Sequence, residues 1–199
     1  MDALRASLTL VMTHYETISK QVRVCAQRIA ESGAAGLAGL YDLTANRLVR
    51  FATTITRNQH DAEDAVQTTL VRVVANVKFL LAAEAPWPYL LMMVRNESLV
   101  ILRKKRRWSV ALGIADLVTR RSVDELEQED SFRAVWLAIR TLPVEQREVV
   151  VLKIWEELTF AQIGEILGIS GATAASRYRY ALSKLAKQLG ALDTRVHHE

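Results

Sequence analysis

Leu4, Leu8, Val11, Tyr15, Ile18, Val22, Cys25 and Ile29 recur at alternating spacings of four and three. Only an α-helix returns such positions to one face, because its turn closes every 3.6 residues. The pattern is an a/d heptad seam, imperfect at Tyr15 and Cys25, on an amphipathic helix over residues 4–29 that ends near Ser32–Gly33. Helical spacing governs the rest of the chain too. A second helix is expected over 36–57, and Asp61 opens a third whose stripe is Ala62, Val66, Leu70, Val73 and Val77. Period-two alternation is scarce, and the eight Gly and three Pro fall mostly at breaks between helical patterns. Pro86–Trp87–Pro88 breaks the chain before a further helix, since proline has no N–H to give the preceding turn.

Composition narrows the class. Half the residues are hydrophobic and 24% are charged, enough for compact cores and unlike a disordered chain. The net charge of +4 is too mild to imply a partner alone, so the distribution of charge must decide. The single Cys25 excludes an internal disulfide framework and a cysteine-rich metal site. His197–His198–Glu199 reads as a frayed terminus, and His14 and His60 stand alone; no metal site and no cofactor are expected.

The segment YLLMMVRNESLVILRKKRRW, from Tyr89 to Trp108, is apolar until it ends in five consecutive cations and an indole. Arg95–Asn96–Glu97–Ser98 interrupts it, so neither apolar piece approaches the ~20 residues a membrane span needs. The N-terminus has Asp2 and Arg5 early and lacks the apolar core and cleavage site of a signal peptide. A soluble, cytoplasmic protein is expected. A solvated charge run and a nucleic-acid contact remain as readings of Arg103 to Arg107.

After Trp108, residues 109–131 turn small and polar, then acidic from Asp124 to Asp130. A helical block follows over 132–189, its first two helices separated by Pro143. Within it, LTFAQIGEILGISGATAASRYRYALSKL has the spacing of a helix-turn-helix. Thr159 and Gln162 form a capping box, and Ile163, Ile166 and Leu167 make the buried stripe of a short helix. Gly168 suits the left-handed residue that ends it, Ile169 plugs the space between helices, and Ser170 caps the next. That next helix carries Arg177, Arg179, Lys184 and Lys187 and no acidic residue between Ser170 and Leu189. An ordinary helical hairpin with a solvated basic face is the plainer reading; the agreement of cap, glycine, plug and one-signed charge favours DNA. The expected fold is all-α: two small helical domains joined by a linker, the C-terminal one a helix-turn-helix, plus an N-terminal amphipathic helix.

These motifs together resemble a bacterial RNA polymerase sigma factor of the sigma-70 family, extracytoplasmic-function type. LPVEQREVVVLKIWEELTFAQIGEILGIS at 142–170 is similar to that family's C-terminal domain. DAEDAVQTTLVRV at 61–73 resembles its helix that docks on the polymerase clamp, and YLLMMVRNESLVILRKKRR its helix that reads and opens the −10 element. The resemblance implies a division into an extension over 1–34, region 2 over 35–108, a linker over 109–131, region 4 over 132–190 and a tail over 191–199. It implies core-polymerase contacts by Asp61, Asp64, Gln67 and Arg72. It implies −10 contacts by Trp87, Tyr89, Arg95, Asn96, Arg103, Lys104, Arg106 and Arg107, with Asn96 in a pocket for a flipped base and Lys78 to Pro88 as a specificity loop. The cations would hold phosphates and the aromatics would face bases, although Trp87 and Tyr89 also suit a core. Ala174, Ala175 and Leu182 depart from the family's pattern, so −35 reading falls on Thr173, Ser176, Arg179 and Tyr180, with Arg177 and Lys184 beside them.

The implied activity is transcription initiation without catalysis by this chain. The implied partners are core RNA polymerase, promoter DNA and an anti-sigma factor or other regulator, with no stable membrane insertion. A tether over 109–131, at ~3.3–3.6 Å per extended residue, reaches roughly 75–80 Å, enough to seat two domains on separated promoter elements. A stand-alone helix-turn-helix regulator explains 158–189 but neither of the other motifs. A recombinase with a helix-turn-helix tail would need a nucleophilic site, which scattered Ser and Arg residues do not make. The N-terminal seam has two readings: it folds back on the chain's own two domains, or it is a regulatory helix that masks a docking surface or pairs with another helix, a regulator's or a second copy's. On the second, a chain starting near Gly33 still binds polymerase and transcribes.

Overall fold

A computed structural model describes residues 2–111 and 130–196, with side chains over 17–108, at 111 and over 135–188. Every regular element among them is helical. In order they are α1 (Asp2–Ser32), a 3₁₀ turn (Gly33–Gly36), α2 (Leu37–Thr56), α3 (Gln59–Ala75), α4 (Val77–Ala82), α5 (Pro86–Ala111), α6 (Asp130–Thr141), α7 (Val144–Ile154), α8 (Phe160–Leu167) and α9 (Gly171–Val196). They form two compact units, Met1–Val123 and Asp124–Glu199.

In the first unit α2, α3 and α5 pack against one another, and α1 lies against α2, α4 and α5. Ile18, Val22, Ala26 and Ile29 of α1 are buried with Leu48 and Phe51 of α2, Val66 and Leu70 of α3, and Leu90 and Val94 of α5. The described half of the heptad seam is therefore core. Residues 1–34 do not stand apart as an extension, because α1 supplies part of the first unit's interior; Leu4 to Tyr15 of the seam lie outside the described side chains.

Two helix boundaries differ from the sequence expectation. The third helix opens at Gln59, not Asp61, because Asn58 caps it, accepting the Asp61 N–H at 2.9 Å. It ends at Ala75, so Val77 belongs to α4. Pro86 starts α5 instead of preceding it: a first turn leaves its N–H groups unpaired in any case, so proline fits there.

The second unit is centred on Ile139, Leu142, Val150, Ala181 and Leu185, with Trp136 stacked on Trp155 at 4.8 Å between centroids. Its helix-turn-helix forms as its local signals dictate. Thr159 and Gln162 make the reciprocal cap, and Gly168 takes φ 68°. Ser170 Oγ accepts the Thr173 N–H at 3.0 Å. Gly164 lets the two helices meet: a Cβ there would lie 2.6 Å from the Ile169 carbonyl oxygen.

Candidate polymerase and promoter interface

Two of the four expected docking residues of α3 are engaged in ion pairs within the molecule. Asp61 is buried and accepts from Lys105 Nζ at 2.6 Å; Arg72 pairs with Glu97 of α5 through Nη1 and Oε1. In both pairs the carboxylate is the buried partner, with side-chain exposures of 10% and 9%, while the cations are 49% and 57% exposed. That asymmetry follows from desolvation: a sunken carboxylate needs a cation, and a long cationic side chain can pair with it while its stem reaches toward water. Asp64 and Gln67 remain exposed, and Val71 joins them, 66% exposed at helical spacing. Val71 was missed in sequence because a valine in a helix reads as core.

Along α5, Tyr89, Met93, Asn96, Val100, Arg103 and Arg107 follow at spacings of four and three, a straight stripe on one face over about 27 Å at ~1.5 Å per residue. A cavity of about 220 Å³ sits at its start, lined by Arg72, Val73, Asn76, Phe79, Leu80, Tyr89 and Met93. An open groove of about 580 Å³ lies at its end, along Val100, Arg103, Arg106 and Arg107. Asn96 is exposed between them, outside the residues that line the cavity, whereas Tyr89 is among those residues. Phe79 and Leu80 fall in the expected Lys78 to Pro88 loop, whereas sequence reasoning gave Asn76 and Met93 no part in a site; the turn that brings Asn76 beside Tyr89 is tertiary. Arg95 is half-buried, and Arg103 Nε donates to its own helix at Leu99 O, 3.2 Å. Lys104, Arg106 and Arg107 are exposed.

Trp87 leaves the −10 set. It is fully buried, with the Arg47 guanidinium 5.1 Å from its ring centroid, so no base can reach its face. Lys105 points instead to α3, so the five consecutive cations are not equivalent.

On α9 the expected residues are nearer to solvent. Thr173, Arg179, Tyr180 and Lys184 are exposed, and Ser176 and Arg177 half-buried. Thr173, Ser176, Tyr180 and Lys184 share one face by spacing. Thr173 Oγ1 lies 2.8 Å from Ser170 Oγ, and Arg179 donates to Ser176 Oγ at 3.3 Å, which pre-sets both ends of the first two turns.

Among the described residues no group of three or more His, Cys, Asp or Glu could hold a metal, and no helix is long and apolar enough to cross a membrane.

Residues 40–108 match Sigma-70 region 2 and residues 132–185 match Sigma-70, region 4. ECF RNA polymerase sigma factor SigM of Mycobacterium tuberculosis is 30% identical over 151 residues, covering 76% of each chain. RNA polymerase sigma-E factor of Streptomyces avermitilis is 28% identical over 151 residues, 73% of this chain and 80% of its own. The sigma factor RpoE of Bartonella quintana, solved with the anti-sigma factor NepR, shares the fold with a TM-score of 0.65 at 24% identity, over 75% of this chain and 94% of that one. The protein belongs to the sigma-70 family, in its extracytoplasmic-function branch, and is a transcription initiation factor that directs RNA polymerase to promoters. Region 2 as matched begins at residue 40, leaving α1 outside it.

Proposed function

We propose that the stripe on α5 reads and opens the −10 element while the exposed face of α3 docks on core polymerase and α9 reads the −35 element. The stripe is the observation that carries this reading. Opening a duplex requires holding unpaired bases and the backbone that carries them. The cavity at Tyr89 and Asn76 has base size and both polar and aromatic walls; Asn96 offers an amide to the next base edge; Arg103, Arg106, Arg107 and Lys104 hold phosphates. Asp64, Gln67 and Val71 form the docking face, with Asp61 and Arg72 bracing α3 against α5 from behind. Thr173, Ser176, Arg179 and Tyr180 read −35 base edges, and Arg177 and Lys184 steady the backbone.

The chain acts in the cytoplasm with core RNA polymerase and promoter DNA, catalyses nothing itself, and is held in check by an anti-sigma factor or other regulator. A stand-alone regulator has no use for the α5 stripe.

The test is transcription by core polymerase and the full chain from a library randomised in the −10 element. Asn96→Ala and Tyr89→Ala are expected to relax preference at neighbouring positions while leaving −35 preference intact. Unchanged −10 discrimination in both variants would remove the stripe from base reading.

A further inference from the structure

α4 is six residues long and cannot hold its own shape; nucleation alone makes so short a helix unstable without outside support. Asn76 at its start makes no side-chain cap, and its final carbonyls have no partner within the helix. Arg23, from the middle of α1, supplies what α4 lacks. Its Nη1 donates to Leu81 O at 2.7 Å, and its Nη2 to Ala83 O at 2.8 Å and Glu84 O at 3.1 Å. A single planar guanidinium thus ties the last turn of α4 to the segment that leads into α5. Arg23 itself emerges beside Val22, which is fully buried and one turn from the equally buried Ala26, so its backbone is fixed by the core.

The tied segment runs between Leu80 and Tyr89, two residues that line the 220 Å³ cavity. The other walls come from α3, its capping Asn76 and α5, long elements held by the core. Phe79 and Leu80 are the wall contributed by α4; Leu80 is buried and anchors it, whereas Phe79 is 55% exposed, so little packing sets the position of that ring. α4 rests more on α1 than on α3 or α5. We infer that Arg23 is a positioning residue for promoter selectivity: through its fork to Leu81, Ala83 and Glu84 it sets the α4 wall of the base pocket. This rests on the reading of that cavity as a base pocket. It gives α1, which lies outside the matched region 2, a part in −10 discrimination without touching DNA.

Arg23→Ala is a mild change to the fold, since Arg23 is half-exposed and Glu84 O opens to water. The experiment compares Arg23→Ala, Arg23→Lys and Tyr89→Ala in the full chain, with core polymerase and a library randomised in the −10 element. Polymerase affinity and −35 preference are measured in parallel. Arg23→Ala is expected to lower discrimination about tenfold at one or two adjacent −10 positions, on the scale of one lost charge-assisted hydrogen bond. Polymerase affinity and −35 preference stay as in the parent. Arg23→Lys restores part of the discrimination, because an ammonium can reach the same carbonyls without the planar fork. Two results overturn the inference alone: a uniform loss of transcription across the library, or unchanged preference while Tyr89→Ala alters it. Unchanged preference in both Arg23→Ala and Tyr89→Ala overturns the pocket reading, and the inference falls with it.

Discussion

α5 and α9 are both helices of 26 residues rich in cations, and they hold those cations in different ways. α5 gathers them at one end and is braced by ion pairs to α3, Lys105 to Asp61 and Glu97 to Arg72. Cavities open at both ends of its exposed stripe. α9 scatters its cations along a helix with no acidic residue from Ser170 to Leu189, and among the described residues Arg179 donates to the neutral Ser176 hydroxyl. The difference teaches which surface is shaped in advance. A helix braced by buried carboxylates presents a fixed relief, which suits the proposed hold on unpaired bases; a helix whose cations meet no carboxylate among the described residues suits the proposed reading of groove edges.

The largest test of that contrast removes the brace beneath it. Deleting residues 1–32 strips Ile18, Val22, Ala26 and Ile29 from the first unit, at ~1.5–3 kcal/mol for each large aliphatic side chain against a total stability of about 5–15 kcal/mol. The shortened chain is expected to lose polymerase binding and helical signal from that unit, while the second unit still melts cooperatively. A soluble chain from Gly33 with full polymerase affinity would show that α1 is dispensable, as the heptad seam alone allows.

Next comes the turn of the second unit. Gly164→Ala forces a Cβ within 2.6 Å of Ile169 O, an overpacking worth about 2–3 kcal/mol. Transcription that depends on the −35 element is expected to fall, while opening of a template already melted at −10 is unaffected. Equal loss on both templates would mean that the two helices are not separable in function.

Smaller is the effect of the α3–α5 pairs. Arg72→Ala leaves Glu97 buried without its cation, and Glu97→Gln leaves Arg72 free to turn to water. Because Arg72 is more than half exposed, the first should cost about 1–2 kcal/mol in thermal unfolding and the second less. The reverse order would place Arg72 on the polymerase face with no structural part. The slightest effect concerns Cys25, whose thiol burial pushes up from its ordinary value of 9.0, with Arg28 opposing. Being raised, it contributes stability that is present below that value and fades as pH rises through the folded one. Comparing the wild-type chain with Cys25→Ala above pH 9.0 should show a small extra loss in the wild type. No difference would mean the thiol ionises equally well in both states.

The helix-turn-helix was legible because its determinants are local: Thr159 caps Gln162 three residues on, and Gly168 and Ser170 act within a turn. The family resemblance was legible for the same reason, in continuous stretches. Hidden from sequence were the pairings that span the fold. Asp61 and Lys105 meet across 44 residues and Arg72 and Glu97 across 25, and nothing in either segment says which cation turns inward. For Trp87 the sequence leaves a base contact and a core position both open, and only the start of α5 at Pro86 puts the ring in the core. Half the seam on α1 announced a buried face correctly, but not that the face would be this chain's own core.

The central claim is that α5 opens promoter DNA through its stripe and terminal cations. The most direct measurement is the salt dependence of open-complex formation by core polymerase with the full chain, comparing wild type with the combined Ala variant of Arg103, Lys104, Arg106 and Arg107. Opening is expected to be slower at every promoter, with a log–log salt slope smaller by roughly 0.7–0.9 for each phosphate contact removed. An unchanged slope with a changed promoter preference would contradict the claim.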